Sequence, residues 1–282
     1  MPLPGDPRPI GVFDSGVGGL TVLAELRRRL PDESTLYLGD NARAPYGPRP
    51  PGEVRSFALE SARWLAAQDV KLLVIACNTA TAHALEEIRA AVDVPVIGVV
   101  RPGALMASAA TRAGHVGVIA TAGTVGSGAY ERAILEANPA IEVTQQACPD
   151  LVPLVEAGLA GTPEANRAVV HYLGQLFAAD AAIDTLLLGC THYPILRPAI
   201  EAFAGPRISV VDSAFTTALA TEDLLDALGR RSAGAAPGAN QIMTTGDVDA
   251  FTMVARSVFG AELPAVHAVS VAPAPGVAAV DS

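Results

Sequence analysis

Short apolar runs alternate along the chain with longer stretches in which apolar positions recur every three or four residues. The short runs predict buried parallel strands, and the longer stretches predict helices packed against them. For example, Thr162-Pro163-Glu164 is typical of an N-cap with proline at the first helical position, and it predicts a helix to about Ala179. The predicted strands are Ile10 to Asp14, Thr35 to Asp40, Leu72 to Cys77, Pro95 to Val99, His115 to Ala120, Ile141 to Gln146, Thr185 to Cys190 and Ile208 to Asp212.

The order of these elements repeats. The strand at Ile10 resembles the segment at Val116, and the strand at Thr35 resembles the segment at Ile141, in both cases 106 residues further on. The segment that ends in Cys77 resembles the one that ends in Cys190, 113 residues further on. Three matches at a similar offset predict two related α/β halves with mainly parallel sheets.

The repeat suggests a division into domains. We place the first domain at residues 1–100, completed by 209–262, because the strand from Ile208 to Asp212 is expected to return to the first half. The second domain then covers residues 101–208. Ser232 to Asn240 is rich in alanine and glycine and predicts a linker. Residues 263–282 carry three prolines without helical periodicity and predict a mobile tail.

Composition narrows the functional class. The chain has 282 residues, of which 50% are apolar and 5% aromatic, a balance that suits helices packed closely on parallel sheets. A net charge of −10 and the lack of a basic patch argue against a nucleic-acid partner. No apolar run approaches the roughly 20 residues of a membrane span, and no secretory signal is visible. We therefore expect a cytoplasmic protein with free thiols and no membrane partner, while a homodimer stays open.

Two of the three cysteines lie in matching surroundings. Cys77 and Cys190 each end an apolar run and are followed by small polar residues that could open a helix. Thiols at strand ends in separate halves predict two acid/base groups that face one substrate from opposite sides. A helix N-terminus is expected to lower the pKa of such a thiol, which would make a thiolate available at neutral pH. Buried cysteine is otherwise often just a small apolar residue, and we interpret Cys148 in that way.

Other polar groups follow the predicted strands. The segment from Asp14 to Gly19 could bind a carboxylate at a helix N-terminus, with Asp14 as an ionisable group beside Cys77. A dinucleotide loop is disfavoured because Thr21 occupies the place of the third glycine. His192 lies two residues after Cys190, which favours a role in the site. Glu156 could bring an acid to the second half, although its surroundings equally suit an ordinary surface residue.

Two kinds of cofactor are disfavoured by the residues themselves. Lys71 is the only lysine and leads into a predicted buried strand, so a pyridoxal phosphate Schiff base is not expected. The cysteines and His192 lack the spacing of a zinc site. We expect neither a cofactor nor a metal.

Several segments carry a resemblance to a known family. They are Phe13-Asp14-Ser15-Gly16-Val17-Gly18-Gly19, Ala44-Pro45-Tyr46-Gly47, Ala76-Cys77-Asn78-Thr79-Ala80-Thr81, Thr121-Ala122-Gly123-Thr124, Pro153-Leu154-Val155-Glu156 and Leu188-Gly189-Cys190-Thr191-His192-Tyr193-Pro194. The chain resembles the bacterial glutamate racemases, within the cofactor-independent aspartate/glutamate racemase superfamily. The resemblance runs from Ile10 to about Asp212, although Ala120 stands where the family usually has glycine.

The resemblance implies a fold, a reaction and a site. The fold would be two pseudo-symmetric flavodoxin-like domains with the active site in the cleft between them. Glutamate in both L and D forms would be the substrate, and D-glutamate would supply peptidoglycan. Cys190 would deprotonate L-glutamate and Cys77 would deprotonate D-glutamate, assisted by Asp14, Glu156 and His192. The implied substrate contacts are Asp14, Ser15, Tyr46, Gly47, Asn78, Thr79, Thr121, Thr191 and His192.

Two alternatives remain at this stage. One is an aspartate or related amino-acid racemase of the same superfamily. His192 favours the glutamate branch, because aspartate racemases often resemble Cys-Thr-Glu at that point. The other is a role in binding, which the resemblance implies because some members of the family act on DNA gyrase, and an acidic protein could bind a basic surface on a partner.

Overall fold

Two parallel β-sheets covered by helices organise the chain. The computed structural model describes residues 5–233 and 238–271. The strands are β1 (Ile10–Asp14), β2 (Thr35–Gly39), β3 (Leu72–Ile75), β4 (Val96–Gly98), β5 (His115–Ala120), β6 (Glu142–Ala147), β7 (Thr185–Gly189), β8 (Ser209–Asp212), β9 (Asn240–Thr244) and β10 (Val266–Ala268). The helices are α1 (Leu20–Arg29), α2 (Pro51–Ala66), α3 (Asn78–Ala91), α4 (Val100–Ala110), α5 (Ala122–Ser127), α6 (Ala129–Ala137), α7 (Leu151–Glu156), α8 (Pro163–Ala179), α9 (Arg197–Ala204), α10 (Ser213–Ala227) and α11 (Val248–Phe259).

The predicted repeat is confirmed by the order of the strands. The first sheet runs β10-β9-β2-β1-β3-β4 and the second runs β6-β5-β7-β8. Within the first sheet the order β2-β1-β3-β4 matches the whole of the second, and it is the flavodoxin-like order. Strands β1, β3 and β7 are buried along their whole length, as expected of parallel strands with helices on both faces.

Strand β8 corrects one prediction. It was expected to return to the first half, but it pairs with β7 in the second sheet, with Leu187 opposite Val211. Val210 and Val211 pack against the hydrophobic core of the second half. The position follows from the repeat, since β8 occupies in the second sheet the place that β4 has in the first. The remaining domain boundaries stay a prediction.

The C-terminal part of the chain corrects a second prediction. Strand β9 begins at the end of the predicted linker and pairs with β2, and β10 pairs with β9, so part of the predicted mobile tail is an edge strand. Only Ile242 of β9 is a fully buried apolar residue. Because polar residues surround it, the sequence of β9 lacks the apolar run that predicts a strand. Residues 234–237 of the linker and 272–282 of the tail lie outside the described residues.

Local helix signals were more reliable. Helix α8 covers the predicted range, and the Thr162 hydroxyl accepts a hydrogen bond from the amide of Ala165 at 3.3 Å, as the N-cap pattern requires. Across the described residues, no helix has both the length and the apolar character needed to cross a membrane.

Candidate active site

The two thiols and a carboxylate lie at the carboxyl ends of central strands. Asp14 is the last residue of β1, Cys77 follows β3, and Cys190 follows β7. Their exposed fractions are 0%, 4% and 6%. Parallel strands carry their reacting groups at this edge of a sheet, and here the edges of the two sheets meet.

Asp14 connects the two halves. One carboxylate oxygen accepts a hydrogen bond from the amide of Gly16 at 2.9 Å, and the other accepts one from the Thr191 hydroxyl at 3.2 Å. Thr191 is the neighbour of Cys190, so the carboxylate ties the first strand of one half to the thiol-bearing loop of the other. Burial raises the pKa of Asp14, against the hydrogen bonds and the positive charge of His192.

Cys77 caps helix α3 but is not activated as predicted. Its sulfur accepts a hydrogen bond from the amide of Ala80 at 3.4 Å and lies 3.4 Å from the Ser15 hydroxyl. Burial, followed by the negative charge of Asp14, nevertheless raises the pKa of Cys77 to about 12. The prediction of a lowered pKa is therefore wrong for this thiol, because the loss of water costs the thiolate more than two hydrogen bonds return. The raised pKa favours the protonated thiol.

Cys190 has different partners. The chain continues into a 3₁₀ turn at Tyr193–Leu196 instead of the predicted α-helix. The sulfur of Cys190 lies 3.8 Å from Nδ1 of His192, and Nε2 of that ring lies 3.1 Å from a carboxylate oxygen of Glu156. Burial opposes the charged imidazole, but Cys190 and Glu156 outweigh it and raise the pKa of His192 well above its usual value. The sulfur of Cys190 and the ring of His192 are thus close enough to exchange a proton.

Glycine allows the two halves to approach at this point. A methyl group on Gly18 would lie 2.4 Å from Nδ1 of His192 and 2.4 Å from the Thr191 hydroxyl. Gly47 approaches the second half in the same way, since its methyl would lie 2.8 Å from Cβ of Thr121. The carbonyl of Gly47 also accepts a hydrogen bond from the amide of Gly123 at 2.9 Å. These glycines place the predicted substrate loops against the facing half.

Threonine hydroxyls form a second junction between the halves. The hydroxyl of Thr79 lies 2.9 Å from that of Thr121 and 3.2 Å from that of Thr124. The last two are 3.0 Å apart, which closes a triangle. Hydroxyls can donate or accept, so this cluster could turn donors towards a carboxylate. The Thr121-Ala-Gly-Thr124 segment predicts hydroxyls and amides for a carboxylate, although only Thr121 is among the substrate contacts that the resemblance implies.

The side chain of Tyr46 is engaged in contacts within the protein. Its hydroxyl donates to the buried carboxylate of Asp40 at 2.5 Å, and its ring packs against Phe13 and Phe57. Asp40 also accepts hydrogen bonds from Arg43 at 2.7 Å and from Thr245 at 2.8 Å. The side chain of Tyr46 therefore supports the loop that presents Gly47.

Asn78, the residue after Cys77, has a partner that the sequence did not indicate. Its side-chain oxygen accepts a hydrogen bond from the hydroxyl of Tyr130, on helix α6 of the second half. Its side-chain nitrogen is buried and has no hydrogen-bond partner among the described residues. Buried donors are normally paired, so this nitrogen is a free position for a ligand oxygen.

The remaining two candidates, Cys148 and Lys71, make contacts of a structural kind. Cys148 is fully buried, and its thiol donates to the carbonyl of Gln146 at 3.6 Å, which suits a structural residue. Lys71 precedes β3 at the opposite end of the strand from Cys77. Its ammonium group contacts the carboxylate of Glu33 at 2.5 Å and donates to the carbonyl of Asp6 at 2.7 Å.

The chain is similar to several known proteins. The family described as Asp/Glu/hydantoin racemase matches residues 19–222. A glutamate racemase of Oceanobacillus iheyensis is 46% identical over 250 residues, which are 89% of this chain and 91% of that protein. Among solved structures, the chain is similar to a glutamate racemase of Bacillus anthracis with a TM-score of 0.89 at 41% identity. It is also similar to a glutamate racemase of Francisella tularensis in complex with D-glutamate, with a TM-score of 0.87 at 34% identity. Each alignment covers 94% of this chain and 98% of the other.

Proposed function

The chain belongs to the Asp/Glu/hydantoin racemase family, and from this premise we propose that it interconverts L- and D-glutamate by a two-base mechanism without a cofactor. The observation that carries the proposal is the pair of buried thiols at equivalent strand ends of the two halves, where Asp14 of the first half accepts a hydrogen bond from Thr191, the neighbour of Cys190. The glutamate specificity is supported by the names of the similar proteins and by the D-glutamate bound in one of them.

The contacts of the two thiols suit the direction from L to D. Cys190, as thiolate, takes the α-proton of L-glutamate, and Cys77, as thiol, gives a proton to the opposite face of the carbanion. The raised pKa of Cys77 keeps it protonated before the reaction. His192, held by Glu156, lies beside the sulfur that receives the proton. The reverse direction exchanges the roles, and solvent restores the starting protonation.

The surrounding polar groups bind and stabilise the substrate. Asn78 offers a buried N–H group, the hydroxyl of Ser15 lies beside the thiol of Cys77, and the hydroxyl of Thr191 donates to Asp14. Donors directed at the α-carboxylate delocalise the negative charge that develops when the α-proton leaves. Both sulfurs are almost closed to solvent, so glutamate enters by a relative movement of the halves or their loops. Water is then excluded during the proton transfers.

Isotope incorporation tests the two-base mechanism. In D₂O, starting from L-glutamate, early D-glutamate should carry deuterium at the α-carbon while the recovered L-glutamate carries little. The reason is that the donor thiol on the far face has exchanged with solvent, whereas the proton removed from L-glutamate stays on the other sulfur. Equal early deuterium in both enantiomers, measured by NMR, would contradict the assignment of Cys77 and Cys190 to opposite faces.

Single substitutions extend the test. Cys77→Ser and Cys190→Ser should each lose most racemisation in both directions, because a hydroxyl is a far weaker acid and base than a thiol. Cys148→Ser is the matched control and should keep its activity. The same assay with aspartate separates the alternative substrate, since faster turnover of aspartate would replace glutamate in the proposal.

The biological role is also a proposal. D-glutamate made by this chain would supply peptidoglycan synthesis. Expression of the chain in a bacterium that requires D-glutamate should restore growth, and the Cys77→Ser variant should fail to do so. Growth restored equally by that variant would contradict the role.

A further inference from the structure

The side-chain oxygen of Asn78 is hydrogen-bonded, whereas its side-chain nitrogen has no partner among the described residues. The side chain is 2% exposed, and its oxygen accepts from the hydroxyl of Tyr130. An unpaired buried donor costs free energy that a carboxylate oxygen of a ligand would recover. The residue lies directly after Cys77 and opens helix α3.

The amide of Asn78 can turn either its oxygen or its nitrogen towards Tyr130. A phenol that donates its only proton favours the oxygen, because the opposite orientation would place two donors against each other. Burial raises the pKa of Tyr130 well above its usual value, so the phenol stays protonated and remains a donor at any working pH. The hydroxyl therefore determines which end of the amide is left for a ligand.

Tyr130 is itself fixed by close packing. It is fully buried, and a methyl group on Gly189 would lie 2.9 Å from its ring. Gly189 immediately precedes Cys190. A methyl group on Gly103 would lie 3.3 Å from the phenol oxygen. The ring of Tyr130 thus contacts Gly189, the residue before Cys190. Its hydroxyl contacts Asn78, the residue after Cys77.

We propose that Tyr130 is a positioning residue that orients the Asn78 amide, so that its N–H group binds a carboxylate of the substrate. Tyr130 acts across the junction of the halves and does not itself touch the substrate. The inference rests on the proposed function, since it specifies how that site receives an amino-acid carboxylate.

Tyr130→Phe tests the proposal because it removes one hydroxyl and keeps the ring that packs on Gly189. The KM for L- and D-glutamate should rise about 3- to 10-fold, as expected for the loss of one oriented hydrogen bond, while kcat changes less. Tyr172→Phe is the control. It removes another tyrosine hydroxyl of the second half, which donates to Asp150 at 2.5 Å, and should leave KM unchanged.

A double-mutant cycle separates positioning from a general structural effect. Asn78→Ala should raise KM at least as much as Tyr130→Phe, and the double variant should be no worse than Asn78→Ala alone, because Tyr130 acts through Asn78. Additive effects would overturn the proposal. Asn78→Asp provides a variant that still accepts from Tyr130 but lacks the N–H group, and it should also lose glutamate binding.

The outcomes distinguish the two levels of the argument. A wild-type chain that does not racemise glutamate overturns the proposed function together with this inference. An active wild-type chain whose Tyr130→Phe variant keeps its KM overturns the inference alone. Thermal unfolding of each variant checks that the folded fraction is the same in every assay.

Discussion

Replacing Gly18 with alanine is expected to damage the active site through one methyl group. That methyl would lie 2.4 Å from Nδ1 of His192 and from the hydroxyl of Thr191, whereas ordinary contacts begin at 3.4 Å. Either the Gly18 turn or the facing loop must therefore shift by about 1 Å. His192 cannot move freely, because Glu156 and Cys190 hold its two ring nitrogens.

The magnitude follows from this geometry. Overpacking of a close contact costs about 1–3 kcal/mol in the free energy of unfolding. A displacement of about 1 Å at a catalytic group can reduce the rate by about 100-fold. We expect kcat/KM for glutamate to fall by about that factor, while the chain stays folded at room temperature.

The assay is the initial rate of racemisation in both directions, measured beside thermal unfolding. Gly174→Ala is the matched control, because Gly174 lies inside α8 with nothing within 4 Å of the added methyl. This control should keep full activity and gain about 0.5–1 kcal/mol in stability from the better helix former. Wild-type kcat/KM in Gly18→Ala would refute the steric argument. An equal loss of activity in Gly174→Ala would show that the assay does not report on the junction.

Three further substitutions test individual contacts. Glu156→Gln removes one of the groups that raise the pKa of His192, so the imidazole should lose its proton at lower pH. The alkaline limb of the pH profile of kcat/KM from L to D should therefore move to lower pH. An unchanged pH profile would contradict the pairing of Glu156 with His192. Asp14→Asn should lower kcat more than it raises KM, and it should lower the pKa of Cys77 below about 12 because a negative charge is removed. Steady-state kinetics across pH measure both effects. Unchanged turnover would show that Asp14 has only a structural role. Lys71→Met leaves the buried carboxylate of Glu33 without its ion-pair partner and should lower the free energy of unfolding by about 3–5 kcal/mol, measured by chemical denaturation. The folded fraction should remain active. Complete loss of activity in folded protein would favour a Schiff-base role for Lys71.

The sequence by itself determined where the candidate acid/base groups lie. An apolar run followed by small polar residues is a local pattern, and it located Asp14, Cys77 and Cys190 at strand ends correctly. The internal repeat predicted two related halves, which the matching strand orders confirm. Where the local signal was weak, as in the polar strand β9, the prediction failed, because pairing with β2 stabilises a strand that its own residues do not indicate.

Only the tertiary structure decided how those groups work on one another. The partners Asp14 and Thr191, Thr79 and Thr121, and Asn78 and Tyr130 join separate halves, and no spacing along the chain encodes such contacts. Burial likewise reversed the expected pKa of Cys77, since a helix N-terminus is visible in the sequence but the removal of water is not. Strand ends are local properties of the chain, whereas desolvation and contacts between the halves arise only when distant segments pack together.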